Sequence, residues 1–123
     1  MEKEMNQFRF QDLEIWKMAI EIADRLFDVA DELEGKRLFK FAKQLRGAAL
    51  SISNNIAEGA GSSSKRDFSN FLNFAKRSAF ECANILTILN KRQLLNDQNL
   101  KKFLDDLEHL CRKISNFRKT LLK

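Results

Sequence analysis

Four stretches of the chain place apolar residues at three- and four-residue steps, the spacing that lines one face of an α-helix. The first, over about residues 11–33, carries Leu13, Trp16, Ile20, Ala23, Phe27 and Ala30. A second row lies beside it: Ile15, Ala19, Ile22, Leu26, Val29 and Leu33. The second stretch, about 37–58, carries Phe41, Leu45, Ala48, Ala49, Ile52 and Ile56. The third, about 65–91, carries Phe68, Phe71, Leu72, Ala75, Ala79, Cys82, Leu86 and Leu89. The fourth, about 97–121, carries Leu100, Phe103, Leu104, Leu107, Leu110, Cys111, Ile114, Phe117 and Leu121. Strand-like alternation is absent from the pattern. Stops and starts fall between the stretches. Gly35 reads as the first stop, and Gly59-Ala60-Gly61 as the second. Ser62-Ser63-Ser64 offers N-caps, with Ser64 and Asp67 close to a capping box. Asn96-Asp97 breaks the third pattern, and Asp97 reads as the N-cap of the fourth.

The pattern predicts an all-α fold, an antiparallel up-down-up-down four-helix bundle, in which short loops make sequential helices neighbours. A long hairpin completed by a second chain is the alternative. Composition agrees with long helices: 123 residues contain no proline and only four glycines, and both residues interrupt helices. The length suits one domain with its own core. Eleven phenylalanines and no tyrosine let rings be buried without partners for hydroxyls. No stretch reaches the roughly 18 apolar residues of a membrane span. Met1-Glu2-Lys3-Glu4-Met5 lacks the apolar run of a secretory signal, and Cys82 and Cys111 are too far apart for a CxxC site. A cytoplasmic protein is expected.

Charge changes the picture more. The chain carries net +5, but Gln11–Glu34 holds eight acids against Lys17 and Arg25. The other three segments are each net basic. Basic surface attracts polyanions. The outer face of helix 3 shows Arg66, Asn70, Asn73, Arg77 and Asn84 with Phe80 at its edge; helix 2 shows Lys36, Lys40, Lys43 and Arg46. Cations and amides beside an aromatic suit single-stranded nucleic acid, where charge tracks phosphates and a ring stacks on a base. The candidate contacts are Lys36, Lys40, Lys43, Arg46, Lys65, Arg66, Asn73 and Arg77, set against an ordinary solvated face.

Catalysis needs a constellation of groups, and none is legible. His109 is a lone histidine among Asp105, Asp106 and Glu108. Two cysteines and one histidine cannot supply four strong zinc ligands. No Glu-x-x-His pair supports a di-iron site. Gly59 to Lys65 lacks phosphate-loop spacing; it is either a capped loop or a helix N-terminus that accepts an anion. No cofactor and no enzyme activity are expected. Gln44, Ser51, Asn55 and Glu58 form a polar row within about 60° on helix 2, opposite Ser78 and Glu81 of helix 3. They read either as an interhelical network, since buried polar groups must hydrogen-bond, or as a pocket. Leu50, Phe74, Phe80 and Ile88 lie off the core rows, and surplus apolar surface marks an interface. Homo-oligomerisation is expected, with acidic helix 1 facing basic surface on a neighbour.

Gln44-Leu45-Arg46, Ala48-Ala49 and Ser51-Ile52-Ser53-Asn54-Asn55-Ile56-Ala57-Glu58-Gly59 together resemble the signature of a bacterial four-helix bundle family. Its genes are intervening sequences of the large-subunit ribosomal RNA gene. Phe10 to Trp16 resembles the family's start, and Asp67-Phe68, Phe71-Leu72, Ala75-Lys76, Ser78 and Glu81 its third helix. Helix 4 matches only by pattern. The resemblance implies a bundle that assembles into a ring, typically a pentamer. It also implies kinship with the accessory protein of diversity-generating retroelements, which binds a reverse transcriptase and nucleic acid. Many relatives carry a basic residue at Gly47 and proline at Ser53. By resemblance, Gln44, Arg46, Ser51, Asn55, Glu58, Gly59, Ser78 and Glu81 are structural or assembly determinants. The functional expectation is a non-enzymatic homo-oligomer that binds RNA or other nucleic acid. An oligomeric adaptor for an acidic protein partner is the alternative.

Overall fold

The computed structural model describes residues 7–123, and the sequence reading of Met1–Met5 lies outside them. A short 3-10 turn, Arg9–Asp12, precedes four helices: α1 (Glu14–Gly35), α2 (Phe39–Ala60), α3 (Lys65–Lys91) and α4 (Asp97–Leu121). Each helix packs on its neighbours in sequence, and α1 also packs on α4; the diagonal pairs do not approach. That closed cycle, with short connections, is the antiparallel four-helix bundle the pattern predicts. It places the α1/α2 edge and the α3/α4 edge on opposite sides, with α2/α3 between them.

The bounds of α3 and α4 coincide with those read from the sequence, whereas α1 and α2 are displaced by a few residues. The 3-10 turn explains the late start of α1. Gln11 Oε1 accepts from the backbone N–H groups of Gln7 and Phe8, and Arg9 donates to the Ala60 carbonyl. The end of α1 is not made by Gly35, which is still helical. Instead Arg37 turns into the left-handed region at φ 64°, and Leu38 N–H bonds back to Leu33 O at 2.9 Å. This is the Schellman arrangement, and it delays α2 to Phe39. The end of α3 repeats it, with Gln93 at φ 62° and Leu94 N–H on Leu89 O at 2.8 Å. Leu38 and Leu94 then pack back on the core.

Ser64 caps α3 as expected, accepting from Asp67 N–H at 3.0 Å. The cap of α4 is Asn96 rather than Asp97: Asn96 Oδ1 accepts from Asn99 N–H at 2.7 Å. Asp97 instead accepts from Asn90 Nδ2 at 2.8 Å, tying the loop to α3.

The core runs the length of the bundle. Leu26, Leu33, Leu45, Ile52, Ile56, Leu72, Leu86, Leu89, Leu110 and Ile114 are its largest fully buried side chains. On α1 the second apolar row supplies most of it; of the first, Ile20 is exposed and Trp16 and Phe27 are half-buried. Close approach follows small residues. A Cβ built on Gly59 would lie 2.8 Å from Phe68 Cδ1 and from Phe71 Cβ. Gly59 is therefore a contact residue that lets α2 meet α3, and the helix ends beyond it, at Ala60.

Candidate nucleic-acid interface

The α2/α3 side gathers most of the polar residues that the sequence singles out. Ser78 Oγ donates to Ser51 Oγ at 2.8 Å. Asn55 Nδ2 donates to the same oxygen at 3.0 Å and to Ser51 O at 2.7 Å. This chain of bonds bridges the helices and fixes their register. Gln44, Glu58 and Glu81 do not join it; they are exposed. The network is thus three residues, not six. A hundred-degree step fixes the side of a helix on which a residue lies, not its depth.

Beside the network lies an open cleft of about 600 Å³, lined by Lys40, Lys43, Gln44, Gly47, Ala48, Ser51 and Glu81. Gly47 leaves its floor clear, since no atom lies within 4 Å of a Cβ built there. Lys36, Lys65, Arg66 and Arg77 are also exposed, and Asn73 is half-buried. Arg46 is differently placed. Its Nη2 contacts Asp31 Oδ1 at 2.7 Å and Glu34 Oε1 at 2.6 Å. Both carboxylates hold the guanidinium pKa above its ordinary value. Arg46 therefore joins α2 to acidic α1 and presents little free charge.

The ion pairs divide the molecule. Among the described residues, each pair involves α1 or α4: Arg25–Asp106 and Glu14–Lys113 join these two helices, and Arg46 ties α2 to α1. Three more lie within α4, from Lys101, Lys102 and Arg112. Helix α3 has none. Its Lys65, Arg66 and Arg77, with Lys40 and Lys43 of α2, form a surface of cations without carboxylate partners, while Lys76 turns to the α4 side and lines a groove there. Phe74 stands 46% exposed on this side, in edge contact with Phe71 at 6.4 Å between centroids. Phe80 stands at the edge of the outer face of α3, as read from the sequence, lining a shallow pocket with Asn73, Lys76 and Arg77 and bordering the α3/α4 groove as well.

The titratable groups elsewhere are structural. Burial pushes the Cys82 thiol up to about 12, with Glu81 adding to it, and burial also raises Cys111. Neither is a ready nucleophile. Burial alone would raise Asp106, but hydrogen bonds from Arg25 and Lys102 hold it below the usual carboxylate range. Among the described residues no three His, Cys, Asp or Glu side chains gather as a metal set, and no helix is long and apolar enough to cross a membrane. Sequence reasoning missed three features: the cation Lys76, the Arg118 Nε bond to Ser69 Oγ at 3.1 Å, and the packing role of Gly59.

The family model described as 23S rRNA-intervening sequence protein matches residues 11–116. Among solved structures, one from Bacteroides thetaiotaomicron VPI-5482 is described as a protein of unknown function from the S23 ribosomal protein family. It aligns with a TM-score of 0.80 at 24% identity, covering 85% of this chain and 98% of its own, which bears on fold alone. No curated protein matches the chain.

Proposed function

The chain belongs to the 23S rRNA-intervening sequence protein family, and from that premise we propose a non-enzymatic, cytoplasmic homo-oligomer that binds single-stranded RNA through the α2/α3 face. The observation that carries this reading is the split in ion pairing. Cations already paired to carboxylates gain little from a phosphate, because the existing pair must be broken first. Lys40, Lys43, Lys65, Arg66 and Arg77 carry no such partner among the described residues. Phe74 adds a stacking surface for a base.

The oligomeric part of the reading rests on exposed apolar residues. Leu50 is 47% exposed, Phe80 68% and Ile88 41%, and a monomer would leave them in water. A pentamer is the size the sequence resemblance implies.

The test uses nuclease-treated protein and a fluorescently labelled single-stranded RNA, with anisotropy followed as salt rises. Binding should weaken linearly on logarithmic axes, with a slope of about −0.7 for each phosphate neutralised. An absence of binding even at low salt would overturn the nucleic-acid reading. It would favour the adaptor alternative, in which the same cations meet an acidic protein.

A further inference from the structure

The bundle carries exposed apolar residues on two opposite edges, and their charges are of opposite sign. On the α3/α4 edge a groove of about 530 Å³ runs between the helices. Ala79, Ala83, Leu104 and Leu107 line its apolar floor; Phe80 stands at its lip, and Lys76, Arg112 and Lys119 border it and outnumber its one carboxylate, Glu108, which lies 3.9 Å from Arg112 at the exposed surface. On the α1/α2 edge Leu50 and Ile20 are exposed. Asp24 and Asp28 on α1 lie close by in the helical register and make no ion pair among the described residues.

The two edges match in height along the bundle. The Ser51–Ser78 bond puts those residues level, so Leu50 and Phe80 stand at nearly the same height. The Arg46–Asp31 pair registers α1 on α2. Counting back along α1 and forward along α2 places Asp24 level with Ser53, and hence with Lys76. The Arg118–Ser69 bond registers α4 on α3 and brings Arg112 to that height as well. In a cyclic assembly whose axis runs along the bundles, residues at one height meet across the interface. An acidic apolar edge facing a basic apolar groove makes a head-to-tail contact, since the two patches differ. Charges so placed favour the correct register and repel the same edge of another copy.

We propose that the α1/α2 edge of one copy, at Leu50, Asp24 and Asp28, seats in the α3/α4 groove of a second copy, at Phe80, Lys76 and Arg112. This rests on the homo-oligomeric reading above and names its contact surfaces. The α2/α3 side lies between the two edges and stays uncovered, so Lys40, Lys43 and Arg77 remain open to a ligand.

Light scattering after size exclusion, on the nuclease-treated full chain, tests it. The pair Asp24→Lys/Asp28→Lys and the pair Lys76→Glu/Arg112→Glu change side chains at the surface, and circular dichroism checks that each variant folds. Each pair alone should lose assembly and fall to the mass of one chain. All four changes in one chain should restore the wild-type mass, because the swapped edge then meets a swapped groove. Mixing the two paired variants should let unlike copies associate above the mass of one chain, although strict alternation cannot close a ring of five. An oligomeric wild type whose mass neither pair changes would overturn this interface and leave self-association standing. A wild type that runs as a single chain would overturn both. Loss of assembly without rescue in the combined variant would overturn the head-to-tail pairing.

Discussion

The α2/α3 half and the α1/α4 half of the bundle are joined by different physics. Helices α2 and α3 meet closely, through Gly59 against Phe68 and Phe71 and through the Ser78–Ser51–Asn55 bonds. No ion pair joins them. Helices α1 and α4 approach over a much shorter length and are linked by Arg25–Asp106 and Glu14–Lys113, with Arg25 also 5.2 Å from the Phe103 ring centroid. Where close packing holds two helices, their charged side chains are free to face outward. Where charge holds them, the cations of the seam, Arg25 and Lys113, are already paired. The same division that sets how each seam is held therefore sets which surface can attract a polyanion.

The sharpest way to break the comparison is at the packed seam. Gly59→Ala should destabilise by about 1–3 kcal/mol, the range of an overpacked contact, because Phe71 Cβ cannot swing aside. Gly47→Ala, in the same helix but with open space around it, should stabilise by about 0.5–1 kcal/mol through helix propensity. Chemical denaturation of both variants checks the opposite signs. Next, Ser78→Ala removes the interhelical bond and should cost about 1 kcal/mol, with little dependence on salt.

The charged seam should respond less and differently. Arg25→Ala should cost at most about 1 kcal/mol, since the pair is partly exposed, with the Phe103 contact adding about 0.5 kcal/mol. The loss should shrink as salt rises. Its pH dependence has a definite sign. Asp106 has a folded pKa below its unfolded value. Its contribution is therefore present above the ordinary carboxylate pKa and fades as pH falls through the lower, folded one. Stability of the wild type should drop more steeply on acidification than that of Asp106→Asn. Equal acid sensitivity would mean that the pair contributes nothing to the seam.

The legibility of the sequence follows the same divide. Apolar periodicity revealed the four helices and most of the core, because burial and period are linked directly. Cap chemistry located the start of α3, where Ser64 and Asp67 are local in sequence. The end of α1 was not legible: Arg37 adopts a conformation usually left to glycine, and Leu38 anchors it from the core side. Arg46 looked like a free cation because its partners, Asp31 and Glu34, lie across a helix interface that spacing does not reveal. Spacing shows the polar row on α2 but not its depth, so it does not separate exposed Gln44 and Glu58 from half-buried Ser51 and Asn55. Gly59 read as a terminator because local sequence shows backbone freedom, while its closeness to Phe68 and Phe71 exists only in the folded bundle.

The most direct test removes equal charge from the two halves. Lys40→Gln/Lys43→Gln/Arg77→Gln strips three unpaired cations from α2 and α3, and Lys101→Gln/Lys102→Gln/Lys113→Gln strips three ion-paired cations from α4. Affinity for a labelled single-stranded RNA is measured for both at one fixed salt concentration. The account predicts that the first variant loses at least about tenfold, with a slope against salt shallower by roughly 0.7 per contact removed, while the second binds nearly as the wild type does. Equal losses in the two variants would show that net charge alone governs binding and would contradict a nucleic-acid face on α2/α3.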